Sequence, residues 1–317
     1  MSTSPAHPAD VAAVLSRTEE ALDPGRPDHD GSVAVLGYGE ISVALAVADL
    51  PGLVCKRMSG FPDEGSAARY VLLVEDYLAR LERAGVSVAP TRVVTVARPG
   101  RAPVVYLVQP RLPAESLGDH VLRTADDAVV RAALTAALGV IGLLARHPGP
   151  AGEEVALDGQ LSNWSFAADP TTADPVLIDV GTPFVRRGGE HAMDREVLLA
   201  PVPPGIRAYY RRKRLVEAYL DDYFVPRTVA VDLLGNFHKE GALARLPLGL
   251  EVVNAWLGAG DLPGPTEPVT AEEVERYYRQ DADLLALYLR LRRVDRFLRT
   301  RLLRRTYDYV LPGHVRR

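Results

Sequence analysis

The spacing of apolar residues changes its rhythm along this chain. Residues 10–22 repeat apolar positions at helical spacing, and a loop rich in Asp, Pro and Gly occupies 23–31. From residue 32 the pattern turns to short β-leaning runs at 32–36, 41–48 and 53–57. They are separated by Gly37-Tyr38-Gly39-Glu40 and Asp49-Leu50-Pro51-Gly52, both strong turn signals, so three antiparallel strands are expected. Between 63 and 84, Tyr70, Leu73, Val74, Tyr77, Leu78 and Leu81 recur at helical spacing, and Gly85 closes the stretch. Two further strands are predicted at 92–97 and 104–109.

Pro110 and Pro113 then interrupt the chain, and the pattern becomes mainly helical. A long apolar helix is expected over 124–146, ending at His147-Pro148-Gly149-Pro150. Short strands are expected at 163–166 and 176–180, and helices around 207–223, 229–236 and 271–306. In the last of these Leu284, Leu287, Leu291, Val294, Leu298 and Leu302 form an apolar stripe. Arg290, Arg292, Arg293, Arg296, Arg299, Arg301, Arg304 and Arg305 read as its solvated face, with cations favoured near a helix C-terminus. The expected organisation is α+β: an N-terminal extension at 1–31, a lobe of five antiparallel strands plus one helix at 32–109, and a mostly helical lobe at 110–317. A cleft between two such lobes is a common ligand site.

Composition narrows the function classes. Lys and Arg total 37 against 41 Asp and Glu, a formal net charge of −4, which gives no global reason to expect nucleic acid or a membrane as partner. Cys55 is the only cysteine, which excludes an intrachain disulfide and a cysteine-rich metal site. The first residues lack a basic stretch followed by an apolar core, and the uncharged run 132–145 is shorter than a bilayer span, so a soluble cytoplasmic protein is expected. Lysine is scarce: Lys56, Lys213 and Lys239 are the whole set. Ammonium is a compact donor and guanidinium a wide fork, so a tight oxygen site can demand the former, which singles out Lys56.

Five features then occur in an order that suits phosphoryl transfer from a nucleotide. Gly37 and Gly39 lie in a hairpin turn where backbone can approach phosphate closely, although two glycines in a hairpin also read simply as a turn. Lys56 stands in a strand whose alternation can aim one side chain at the α and β phosphates. Glu75, on the following helix, is placed to pair with it, with Glu64 and Glu82 as weaker substitutes; the plainer reading is a solvated helix face. Asp158 precedes Asn163 by five residues, so that a carboxylate could take a hydroxyl proton while an amide oxygen meets magnesium. Asp179 ends the apolar run Leu177-Ile178-Asp179-Val180-Gly181, as a magnesium ligand or as a turn residue.

This order resembles the protein-kinase-like superfamily, nearest to its aminoglycoside-phosphotransferase and small-molecule kinase branch, over about residues 32–187. The resemblance implies a bilobal fold, ATP and Mg2+ as cofactors, and transfer of the γ-phosphoryl group to a hydroxyl of a small molecule or peptide. Under it Gly37, Gly39, Lys56, Glu75 and the hinge residue Gln109 bind nucleotide, Asp158 is catalytic, and Asn163 and Asp179 hold metal. Ser42 stands where a third loop glycine is usual, and Ala156 where a histidine usually supports the loop. An alternative register puts Gln160 at the base position, which favours a second reading: an inactive pseudokinase that binds nucleotide or an anionic partner as a scaffold. Nucleotidyl transfer is a third outcome open to such folds. His238 and Lys239 fall where this superfamily builds its acceptor site, although a capped helix end explains them too. The run Arg211-Arg212-Lys213-Arg214 and the Arg-rich C-terminal helix offer places for an anionic substrate or protein partner. No motif over 186–262 selects the acceptor.

Overall fold

The computed structural model describes residues 8–39, 41–304 and 306–312. Glu40 of the glycine turn and Arg305 of the C-terminal arginine run lie outside the described residues.

Helix α1 (Pro8–Ala21) precedes strands β1 (Val33–Tyr38), β2 (Ser42–Val47) and β3 (Leu53–Met58), then α2 (Glu64–Arg83), β4 (Arg92–Arg98) and β5 (Arg101–Pro110). The five strands form one antiparallel sheet in the order β1-β2-β3-β5-β4, which makes β3 the central strand. Alternation along β3 sends Lys56 to one face and Cys55 and Arg57 to the other. Helix α2 starts at a capping box: the Asp63 carboxylate accepts from the Ser66 amide (2.6 Å), and the Ser66 hydroxyl accepts from the Asp63 amide (3.2 Å). It ends at Gly85, whose φ of +81° suits the left-handed C-terminal turn, with Val86 N donating to Leu81 O (2.9 Å).

Beyond the sheet come α3 (Gly118–Thr124), α4 (Asp127–Arg146), and the short strands β6 (Glu154–Val155), β7 (Trp164–Ser165), β8 (Val176–Leu177), β9 (Val185–Arg187) and β10 (Glu190–His191). Helices α5 (Arg195–Leu199), α6 (Pro204–Lys213), α7 (Leu215–Asp222), α8 (Pro226–Lys239), α9 (Leu246–Gly258) and α10 (Ala271–Phe297) complete the chain, with a π-helical turn at Leu298–Leu302. The architecture is the expected α+β one, a five-stranded antiparallel sheet with its helix followed by a mostly helical lobe. Helix α4 has the length and apolarity of a membrane span, yet Val130, Leu134, Ala137 and Leu138 bury it in the helical core, where it packs on α8 and α9.

Three findings depart from the sequence expectations. The segment read as an extension packs on the sheet: Val11, Val14 and Leu15 of α1 join Val43, Leu45 and Cys55 in a second core on the outer face. Helix α9 went unpredicted, because it is apolar almost throughout and shows little helical contrast. The apolar stripe of α10 points outward. Its buried residues are Val274, Leu289, Arg292 and Asp295, while Leu284, Leu287 and Val294 are exposed.

The chain end returns to the first lobe. Asp308 O accepts from Arg57 Nη1 (2.7 Å), the Asp308 carboxylate meets Arg98 and Arg101, and Val310 enters the outer-face core.

Candidate functional site

On the inner face of β3, Lys56 pairs in register with Ala44 of β2 and Leu107 of β5, so strands flank it on both sides. Its ammonium reaches Asp179 Oδ1 at 2.5 Å. Asp179 lies just after β8, and its carboxylate also accepts from the Gly181 amide at 2.9 Å, which fixes the turn. Space at Gly181 is tight: a Cβ there would lie 3.2 Å from Lys56 Nζ and 3.3 Å from its Cε, so the lysine tip would have to give way. Burial raises the Asp179 carboxyl, but the Lys56 ammonium and the Gly181 amide outweigh it and hold the group below the ordinary aspartate value.

The two lobes are tied where this pair forms. Leu177 N donates to Ser87 O (2.8 Å) and Ala89 N to Leu177 O (2.9 Å), so the segment between α2 and β4 pairs with β8 just before Asp179. Helix α2 adds two buried phenols. Tyr70 OH donates to Gly181 O and Tyr77 OH to Ala156 O, each at 2.8 Å. These tyrosines lie seven residues apart on one helix face, and the support missing at Ala156 comes from Tyr77. The sequence marks both only as apolar positions; their hydroxyls were the unread signal.

The loop after β6 carries Asp158. Its carboxylate accepts from the Gln160 amide (3.1 Å), and its carbonyl accepts from Asn163 Nδ2 (3.3 Å). Asn163 O in turn accepts from the Ile178 amide at 2.9 Å, which joins the Asp158 loop to the Asp179 turn. Burial, with the nearby Asp179 charge adding to it, pushes the Asp158 carboxyl up to about 6. Gly159 is needed for close packing, since a Cβ would lie 2.7 Å from Val229 Cγ1 and 2.8 Å from Ile141 Cδ1. Gln160 points into a polar network. Its Nε2 donates to Asp232 Oδ2 and its Oε1 accepts from Lys239 Nζ, both at 3.3 Å.

Asp232, on α8, was not singled out by the sequence. Its Oδ1 accepts from Tyr277 OH (3.1 Å), and burial, then the Asp158 and Asp281 charges, push its carboxyl up to about 7. Asp232, Asn236, Lys239, Tyr277, Tyr278 and Asp281 line a small hollow beside the Asp158 loop. An acid in a helix reads as solvated face, and only the packing of α10 on α8 encloses this one.

The structure brings Lys56, Asp158, Asn163 and Asp179 into one linked set, and it leaves two predicted residues elsewhere. Glu75 is exposed: Val74 takes the inward position on α2, and one residue further along turns the side chain about 100° away. Lys56 therefore pairs with Asp179 in place of Glu75. Gln109 donates to Thr91 Oγ1 (2.8 Å) between β5 and the start of β4. Gly37 lies at a bulge where the β1–β2 register shifts, and Gly39 N donates to Ser42 O (3.0 Å), a tight turn at the end of the hairpin. Among the described residues no group of three or more His, Cys, Asp and Glu side chains forms a cation site.

Among solved structures the chain is similar to one titled "WaaP in complex with acyl carrier protein", at 14% identity and a TM-score of 0.38, covering 88% of this chain and 91% of that one. It is also similar to a GDP and kanamycin complex of an APH(2'') enzyme, at 15% identity and a TM-score of 0.33, covering 79% of this chain and 99% of that one. A GDP complex of wild-type aminoglycoside 2'-phosphotransferase-IIIa matches at 13% identity and a TM-score of 0.35, covering 92% and 98%. No curated protein matches the sequence. The family model described as "Family of unknown function (DUF6206)" matches residues 18–296, and the chain belongs to that family.

Proposed function

We propose that the cleft between the sheet and the helical lobe is a phosphotransferase site that moves the γ-phosphoryl group of ATP to a hydroxyl of a small molecule or peptide. The observation that carries this reading is the 2.5 Å contact between Lys56 and Asp179, made across the two lobes and joined through Asn163 to the Asp158 loop. Lys56 orients phosphate oxygens from the sheet side, and the Gly37–Gly39 turn lets the backbone approach the phosphates closely. Asp158 takes the acceptor's proton; a carboxyl raised to about 6 is largely ionised at neutral pH yet more basic than an ordinary aspartate.

Asp179 and the Asn163 amide oxygen fit a magnesium ion. Two oxygen donors are what this ion uses when phosphates and water complete its shell, and a carboxylate held below its ordinary pKa stays charged for the purpose. When bound, the ion supplies charge neutralisation at the transferring phosphoryl group. Most of the acceleration then comes from positioning and electrostatics.

The placement of Glu75 favours a second reading. Without a helix carboxylate beside it, Lys56 rests on Asp179 itself, as suits a scaffold that holds nucleotide without turning it over. Thermal shift with Mg-ATP, and then product mass against a panel of hydroxyl acceptors, separates the two. Phosphorylated product lost in Asp158→Asn, with the nucleotide-induced shift retained, supports transfer. A nucleotide shift with equal product formation by Asp158→Asn removes Asp158 from the mechanism, and a nucleotidylated product replaces phosphoryl transfer with its alternative.

A further inference from the structure

The C-terminal half of α10 and the turn after it expose what a helix normally hides. Leu284, Leu287, Val294, Phe297, Leu298 and Leu302 are all exposed, Phe297 at 59% and Leu302 at 67%. Leu284, Leu287, Val294, Leu298 and Leu302 follow one another at intervals of three, seven, four and four residues, which keeps them on one side of the helix and forms a ridge along it. The ridge cannot rotate inward, because the opposite face is anchored: Leu289, Arg292 and Asp295 are buried, and the Arg292 guanidinium lies over the Tyr309 ring at 4.8 Å and the Tyr288 ring at 5.3 Å.

Cations flank this ridge. Arg290, Arg293, Arg301 and Arg304 are exposed over the same stretch, whereas Asp295, its one acid, is buried and pairs with Arg299 at 2.8 Å. The acids of α10 are otherwise confined to its first half, including Glu272 and Glu273. The overall charge of −4 thus conceals a local reversal of sign.

We propose that this face docks on an anionic lipid surface, with the leucines and Phe297 entering the headgroup boundary and the arginines pairing with lipid phosphates. An exposed apolar ridge bordered by guanidinium groups is the chemistry of an interfacial helix, and each cation near an anionic leaflet adds to the attraction. Competing occupants satisfy only part of it. A second copy docked antiparallel about the middle of the ridge would set Arg290 opposite Arg296 and Arg293 opposite its own counterpart, and a parallel copy would set each arginine beside its equivalent. A nucleic acid would satisfy the arginines and leave the leucines facing a polyanion. This inference is independent of the proposed phosphotransfer.

The test is flotation of the purified full chain with vesicles of phosphatidylcholine alone and with phosphatidylglycerol added. Binding is expected only with the anionic lipid, weakening as salt rises. The double variant Arg290→Glu, Arg301→Glu should lose at least about tenfold in affinity, and Phe297→Ser, Leu302→Ser should also weaken binding. All four side chains are exposed, so melting temperature should stay unchanged. Failure to bind anionic vesicles, or equal binding to neutral ones, overturns the proposal. So does binding that the Phe297 and Leu302 changes leave untouched, which would mark simple polyanion attraction. A lipid-free dimer in sedimentation velocity that those same changes dissolve would assign the ridge to a second copy.

Discussion

Lys56 and Arg57 are neighbours on β3 and face opposite environments. Arg57 is 1% exposed and pairs with Glu19, itself 3% exposed, while Arg57 Nη1 donates to Asp308 O and Tyr106 OH donates to Glu19 at 2.6 Å. Lys56 is 17% exposed and its partner Asp179 is 36% exposed. The outer-face pair is matched by hydrogen bonds and shielded from water. On the inner face a cation and a carboxylate meet in a more open setting, the one that the proposed function gives to a phosphate and a divalent ion. One strand therefore carries a shielded ion pair and a more open one, on adjacent residues. Replacing a partner in the first should damage the fold, and replacing one in the second should damage binding and turnover.

The largest effect tests the inner face. Asp158→Asn should lower turnover by roughly 100- to 10,000-fold, the usual reach of a general base, with nucleotide binding kept. Lys56→Met should lose the nucleotide-induced thermal shift as well, measured with Mg-ATP, while the unliganded chain melts near the parent temperature. A large fall in unliganded stability would mean that the inner pair is structural too, and the contrast between the faces would vanish.

On the outer face, Glu19→Gln should destabilise by about 3 to 5 kcal/mol, because it leaves Arg57 charged and buried without its counterion. The double change Glu19→Leu, Arg57→Met should recover most of that loss in urea unfolding, since apolar replacement of a buried pair is often neutral. If the double variant is as unstable as the single one, the network's bonds to Asp308 and Tyr106 matter more than the pair itself.

A smaller loss is expected for Gly60→Ala. Gly60 has a φ of +87°, and an added Cβ would overlap the Tyr309 hydroxyl, so the returning chain end must shift. Melting temperature should drop by more than in Tyr309→Phe, since Tyr309 OH is buried and finds no hydrogen-bond partner among the described residues.

The pH dependences sharpen the comparison further. If Asp158 is the base, kcat/KM should fall as pH drops through about 6, where its carboxyl takes up a proton. For stability the sign is opposite in the helical lobe and on the outer face of the sheet. Asp232, raised to about 7, favours the folded state below its ordinary value of 3.8, and that contribution is lost as pH rises toward 7. Glu19 is held below its ordinary 4.5, as the Arg57 charge and hydrogen bonds outweigh burial, so its contribution is present above 4.5 and lost as pH falls below it. Asp232→Asn should flatten the loss between about pH 4 and 7 in a series of melting curves, the smallest effect of the set.

Much of the fold is legible in the residues alone. Strand runs of period two, Gly85 after α2 and the Pro110 interruption identify the sheet, its helix and the change to helices, because these signals are local in the chain. Lys56, Asp158, Asn163 and Asp179 are legible as a set from their order. Glu75 misleads for a definable reason: its spacing from the strand suits the role, but helical phase gives the inward position to Val74. Asp232 is invisible because its burial depends on α10 packing over α8.

Chain neighbours suffice to set the turns between strands, the helix caps, the scarcity of lysine and the order of the candidate ligands. Which charges meet is a matter for the folded molecule. Glu19 and Asp308 reach Arg57 and Arg98 from opposite ends of the chain, Tyr70 and Tyr77 support loops more than seventy residues away, and the α10 ridge faces outward with Arg292 inside. Periodicity measures contrast between the two sides of a helix; it carries no information about which side the rest of the molecule will cover.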